Sequence, residues 1–203
     1  MGYVGGIVGC NYKWSEINNC INKANVNGTS ASIGGIAGIN HYNIKKCYNE
    51  GKIESKRTEI ISATRWLYLG GICGYNSGNI EQCGNLGEVK SNYNIEDDSD
   101  GVYVGGISGV ITVSNSKDVF DSVKISKCYN YGIINGQKYI GGITGRVSTN
   151  SNIEYCFNNG KIIGDDKVGG ITGTLPNNNT KICSCYNFGE ISGNSNFGGV
   201  CGI

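Results

Sequence analysis

The sequence predicts an all-β protein wound into a parallel β-helix, and three observations point there. First, an apolar residue followed by Gly-Gly-Ile/Val-x-Gly recurs seven times: VGGIVG from Val4, IGGIAG from Ile33, LGGICG from Leu69, VGGISG from Val104, IGGITG from Ile140, VGGITG from Val168 and FGGVCG from Phe197. Second, Ile-x-x-Cys-aromatic-Asn-x-Gly-x-apolar falls between them: IKKCYNEGKI from Ile44, ISKCYNYGII from Ile125, IEYCFNNGKI from Ile153 and ICSCYNFGEI from Ile182. Looser copies start at Ile17 and Ile80. Third, apolar residues show no helical spacing; short β-prone segments are punctuated by glycine instead.

The first glycine of each pair stands at 5, 34, 70, 105, 141, 169 and 198, giving steps of 29, 36, 35, 36, 28 and 29. The unit is therefore 28 or 29 residues, the longer steps carry insertions, and six full units are followed by the start of a seventh. One such coil cannot bury its apolar face alone. Stacking coils about 4.8 Å apart makes the core continuous and gives a rod of roughly 30 Å. Right-handed winding is expected. The whole chain, 1–203, is expected to be one solenoid domain. Because it begins and ends inside a repeat, it is expected to be a segment of a longer protein.

Each recurrent residue then acquires a job. Ile7, Ile36, Ile72, Ile107, Ile143 and Ile171 form one column and predict stacked core side chains. Asn22, Asn49, Asn85, Asn130, Asn158 and Asn187 form another and predict amides hydrogen-bonded along the axis. Gly51, Gly87, Gly132, Gly160 and Gly189 suggest a corner at positive φ, with Ala24 making the first such corner strained or differently shaped. The Gly-Gly pairs suggest a bend with no room for a Cβ.

Composition narrows the function classes. The formal net charge is +1 and Lys and Arg are scattered, which argues against nucleic acid as a partner. No apolar run is long enough for a membrane span. The abundant glycine accompanies a single proline, Pro176, so collagen is excluded. The only histidine is His41, which leaves little for histidine catalysis or metal binding.

Six of the ten cysteines, Cys20, Cys47, Cys83, Cys128, Cys156 and Cys185, share one repeat position. They read best as small buried residues in a column. Disulfides between neighbouring coils are an alternative, opposed by side chains that point the same way. Zinc is disfavoured because no Cys-x-x-Cys occurs. No cofactor is expected. Phosphate-binding glycine loops and a Gly-x-Ser-x-Gly nucleophile motif are also absent.

Recognition on a solenoid belongs where the repeat is interrupted. Three insertions stand out, at about 54–68, 91–103 and 111–124. The first carries Arg57, Arg65, Trp66 and Tyr68; the second carries Tyr93, Asp97, Asp98, Asp100 and Tyr103. Both join the end of one unit to the start of the next, so they should emerge at the same corner of adjacent coils. These nine residues are the candidate ligand-binding set. A plainer alternative is that the two loops pair and merely cover a flank.

The repeat resembles the GLUG-type repeat of bacterial surface proteins, found also beside the catalytic region of immunoglobulin A-specific metallopeptidases; GGICGYNSGNIEQCGNLGEV from Gly70 is close in layout. The resemblance implies an extracellular protein attached to a bacterial cell surface or wall, with the repeats as stalk or adhesin. The zinc motif His-Glu-x-x-His of those peptidases is absent, so no catalytic role carries over. The expectation is a non-catalytic module binding a glycan or a host or matrix protein, with end-to-end self-association as a further partner mode. The alternative is a polysaccharide-processing β-helix enzyme using the acids of the 91–103 insertion.

Overall fold

The computed structural model describes residues 2–58, 66–93, 101–113, 122–148, 150–175 and 179–202. Its strands are all parallel and stack into five sheets that run the length of the rod, one of seven strands and four of six. The third coil shows the plan: Trp66–Gly70 lies in sheet I, Cys73–Asn76 in sheet II, Asn79–Glu81 in sheet III, Gly84–Asn85 in sheet IV and Val89–Ser91 in sheet V. Equivalent residues of successive coils lie in register, as in Ile33, Leu69 and Val104.

Two apolar columns fill the interior. One contains Ile36, Ile44, Cys47 and their counterparts in later coils; the other contains Ile33, Ile53, Leu69, Val89 and theirs. Between them lies a polar layer. The second glycine of each pair faces the asparagine of its own coil, so a Cβ on Gly35 would come within 2.5 Å of the Asn49 carboxamide carbon. That Cβ would also meet the Gly71 carbonyl at 2.2 Å. Glycine is thus required by two close approaches at once.

The asparagine layer is continuous. Asn22, Asn49, Asn85, Asn130 and Asn158 each donate through Nδ2 to the Oδ1 of the next asparagine at 2.7–2.8 Å. The same nitrogen donates to the carbonyl two residues on, as Asn85 does to Gly87 at 2.8 Å. Each amide therefore closes its own turn and ties two coils together, leaving no buried polar atom of this layer without a partner.

The glycine that follows the asparagine does not turn the chain through positive φ; no described glycine does. The left-handed residue stands just before the cysteine: Asn19, Lys46, Gln82, Lys127, Tyr155 and Ser184, with φ between 50° and 56°. The recurrent glycine answers a different need. A Cβ on Gly87 would fall 2.0 Å from the Gly51 carbonyl oxygen of the coil before, and one on Gly132 would fall 2.0 Å from that of Gly87. Ala24 corrects the expectation of strain. It belongs to the first coil of this chain, is exposed, and has ordinary negative φ. Its methyl points where no coil of this chain lies.

Candidate functional site

Sheets I and II meet at the Gly-Gly arch, and the third glycine of the motif lets them approach. A Cβ on Gly74 would come within 2.8 Å of the Tyr68 carbonyl oxygen and 2.7 Å of the Ile33 amide nitrogen. Outside the arch, two rows of side chains face each other across a cleft. From sheet I come Tyr68 and Tyr103, which are register partners. From sheet II come Tyr75, Val110 and Arg146, which succeed one another up the stack.

The cleft has two adjoining lobes. The lobe toward the N-terminal coils, about 320 Å³, is lined by Tyr3, Ile39, His41, Trp66, Tyr68 and Tyr75 among others. The other, about 260 Å³, shares Trp66, Tyr68 and Tyr75 and adds Tyr103, Thr112 and Arg146. The rings brace one another. Tyr68 stacks on Tyr103 at 5.6 Å and 13°, and meets Tyr75 edge-on at 5.4 Å. Tyr103 continues to Tyr139 at 4.9 Å. The Arg146 guanidinium lies 5.6 Å over the Tyr103 ring and donates from Nη1 to the Tyr103 hydroxyl at 3.1 Å. Burial and the neighbouring phenols push the Tyr68 hydroxyl well above its ordinary pKa, so it stays neutral.

Electrostatically the lobes differ. His41 bonds through Nδ1 to the Ser77 hydroxyl at 2.7 Å, and burial, with Lys13 nearby, lowers its pKa. It is therefore neutral at pH 7. Among the described residues that line the cleft, the charge comes from Arg146.

The two insertions that join sheet V to sheet I do leave the same corner of adjacent coils: Glu54 pairs with Lys90 on the way out, and Trp66 with Gly101 on the way back. Their candidate residues part company. Trp66, Tyr68 and Tyr103 line the cleft. Arg57 and Tyr93 do not, and here the expectation of solvent-facing ligand residues is corrected: each is only 4 % exposed. They continue the inward alternation of Ile53 and Ser55, and of Val89 and Ser91. The Arg57 guanidinium sits 5.6 Å over the Tyr93 ring and donates to the Trp66 carbonyl at 3.3 Å. Tyr93 is thus part of one apolar column, and Arg57 covers its ring. Beside it, Glu54 accepts from Lys56 at 2.6 Å and Asn92 at 3.0 Å, clamping the two insertions together. Arg65, Asp97, Asp98 and Asp100 lie outside the described residues, as does most of the 111–124 insertion.

The cysteine column is packed as side chains of the interior. Cys47, Cys83, Cys128 and Cys156 are fully buried, while Cys20 and Cys185 in the end coils are half-buried; all are free thiols. Each buried Sγ donates to the carbonyl two residues back, at 3.1–3.3 Å. Burial pushes the Cys128 thiol well above its ordinary pKa, and Cys73 likewise. Such thiols are poor nucleophiles and poor metal ligands. Among the described residues no cluster of metal-ligating side chains is found.

Tyr75, His41 and Arg146 are the cleft residues that sequence reasoning missed. Tyr75 and Arg146 directly follow the motif's third glycine, a position that varies inside an otherwise constant pattern. That variability was the available signal.

Fold and cleft together define a parallel β-solenoid repeat protein with an aromatic groove along one arch. Two stretches of the chain, residues 2–27 and 136–163, match the GLUG motif. The crystal structure of a candidate immunoglobulin A1 protease from Bacteroides ovatus is similar, with a TM-score of 0.57 and 18% identity over 94% of this chain. This chain spans 60% of that one. No curated protein matches the chain. Among the described residues no helix is long and apolar enough to cross a membrane.

Proposed function

We propose that the chain is a non-catalytic, extracellular module of a bacterial surface protein and that it binds a glycan in the aromatic cleft. The observation that carries this reading is the cleft itself. Rings from several coils are held by stacking against one another, and the exposed Trp66 stands at the point shared by both lobes. Aromatic faces offer broad apolar contact to the C–H faces of sugar rings at small cost in side-chain freedom. The phenol hydroxyls and the Arg146 guanidinium supply the few polar groups that orient a ligand in such a groove. GLUG repeats, and a structural relative named for an antibody substrate, support the extracellular setting.

The test is titration of a panel of oligosaccharides against the whole chain, alongside Trp66→Ala and Tyr75→Ala. Both side chains lie on the surface of formed strands, so the variants should fold. Tenfold or greater weakening in each, about 1.4 kcal/mol, is the expected result. Binding unaffected by both changes would place recognition elsewhere. Chain cleavage of any oligosaccharide in the panel would favour the enzyme instead.

A further inference from the structure

The charge around the cleft narrows the class of ligand. On sheet III, several cations are matched. A second shallow cleft, on sheet III, is lined by Lys45, Glu81 and Lys124. There Lys45 pairs with Glu16 at 3.2 Å, Lys124 with Glu154 at 2.6 Å, and Lys127 with Glu81 at 3.4 Å. The aromatic cleft is different. Among the described residues no carboxylate lines either lobe. Arg146 forms no ion pair with any described residue and spends one of its five N–H donors on the Tyr103 hydroxyl.

The neighbourhood adds positive charge. Lys138 and Lys167 flank the Tyr139 ring at 5.3 and 5.0 Å, and Tyr139 packs on Tyr103. A carboxylate near these lysines, Asp166, is already engaged by Lys138 at 3.9 Å, Asn196 at 2.7 Å and Ser195 at 3.0 Å. That leaves the fork of Arg146 turned to solvent at the end of an aromatic row, with cations behind it. A neutral sugar would leave those donors to water. A carboxylate or sulfate matches the fork with two parallel hydrogen bonds, which are stronger and more directional than neutral ones.

We infer that the cleft selects an acidic glycan, with sugar faces against Trp66, Tyr68 and Tyr75 and an acid group on Arg146. This rests on the glycan-binding reading above. It assigns roles that separate cleanly: the rings supply affinity for any glycan of suitable shape, and Arg146 supplies the preference for charge.

The experiment compares three probes of matched length: an oligogalacturonate, a chondroitin sulfate oligosaccharide and a neutral β-glucan oligosaccharide. Wild type should bind one or both acidic probes at least tenfold more tightly than the neutral one at low salt, with the advantage shrinking as salt rises. Binding of the oligogalacturonate shows that a carboxylate suffices, whereas binding of the chondroitin sulfate alone, which carries both groups, points to sulfate. Arg146→Gln should abolish the preference, bringing the acidic probes to the level at which the same variant binds the neutral one. Arg146→Lys, which keeps the charge and loses the fork, should fall between. Equal binding of all three probes, or an acidic preference that survives Arg146→Gln, would overturn the inference while the cleft reading stands. Failure of every probe, or indifference to Trp66→Ala, would remove the cleft reading itself.

Discussion

The rod turns at several corners, and two of them are built on opposite principles. Between sheets IV and V, cysteine to the next inward apolar residue is six positions in every coil, from Cys20 and Val26 to Cys185 and Ile191. That corner holds the six-rung asparagine ladder. Between sheets V and I the corresponding distance runs from six, Ile134 to Ile140, to sixteen, Ile53 to Leu69, and no ladder is present. The turn between sheets II and III is intermediate. Asn11, Asn40 and Asn76 form a three-rung ladder at 2.7–2.8 Å, and the next residues in the column are Ile111 and Val147. The ladder stops at the coil that carries the third insertion. The corner with the six-rung ladder keeps one length in every coil, whereas the three-rung ladder accepts two extra residues in its first coil, where Asn11 still reaches Asn40 but closes its own turn on Ser15. A corner without a ladder carries far longer loops, and the cleft lies beside the one that does.

The contrast can be broken most severely at Gly132. Gly132→Ala drives a methyl into the Gly87 carbonyl in mid-rod, and a loss of about 4 kcal/mol or more is expected in denaturant unfolding. Ala24→Gly, at the same repeat position, should change stability by less than about 1 kcal/mol. Equal effects would mean that the axial approach is not what demands glycine.

Next in size is a comparison of ladders. Asn85→Ala strands the Asn49 amide, the Asn130 oxygen and the Gly87 carbonyl, and should cost about 3 kcal/mol or more at roughly 1 kcal/mol for each. Asn76→Val strands the Asn40 amide and both the carbonyl and the amide nitrogen of Gly78, but valine refills the site beside a column that is already apolar at Ile111. A smaller loss than for Asn85→Ala is expected, again from denaturant melts.

The interior makes a kinetic prediction. In native protein a thiol reagent should modify the exposed Cys183 readily and leave Cys47, Cys83, Cys128 and Cys156 untouched until the rod unfolds. Mass mapping of the labelled sites checks it; early labelling of Cys128 would show that coils open locally.

The smallest effect is electrostatic and concerns the variable corner. Lys56, Asn92 and Lys52 hold the Glu54 carboxyl at about 2 against its usual 4.5. The clamp should therefore be complete above the ordinary value and fade only as pH falls toward 2. Titration of Glu54 by NMR should show this low midpoint, and Lys56→Ala should move it upward.

How much could be read from the sequence follows the same division. The 28- or 29-residue step, the asparagine column and the isoleucine column from Ile36 to Ile171 were legible because each coil repeats the same physical demand on the same position; Ile7, expected in that core column, is exposed in the first coil. The left-handed corner was not, since its occupants range from Lys46 to Tyr155, with nothing in common beyond lacking a β-branch. The recurrent glycine drew that role to itself, although its need arises from a neighbour 27 or more residues away. The insertion residues split for a similar reason. Counting by twos from Ile53 places Arg57 inside, and from Val89 places Tyr93 inside, but an arginine on an inward position becomes plausible only once an aromatic face is known to cover it. The cleft was half legible: Trp66, Tyr68 and Tyr103 stood out as aromatics flanking insertions, whereas Arg146 gains meaning only when sheet II brings it beside Tyr103.

Because the coils are joined to one another by hydrogen bonds that run along the rod, tension along its axis loads those bonds one coil at a time. Such a rod yields like a zipper rather than a rope. Each coil peeled from an end would release 28 or 29 residues, or roughly 90 Å of extended chain at about 3.3 Å per residue, in place of about 4.8 Å of rod. A pulling trace should show that step repeated, with longer steps where the insertions lie. A module of this kind standing between an anchor and a ligand would lengthen under load before its bound glycan was torn away, acting as a shock absorber graded in units of one repeat.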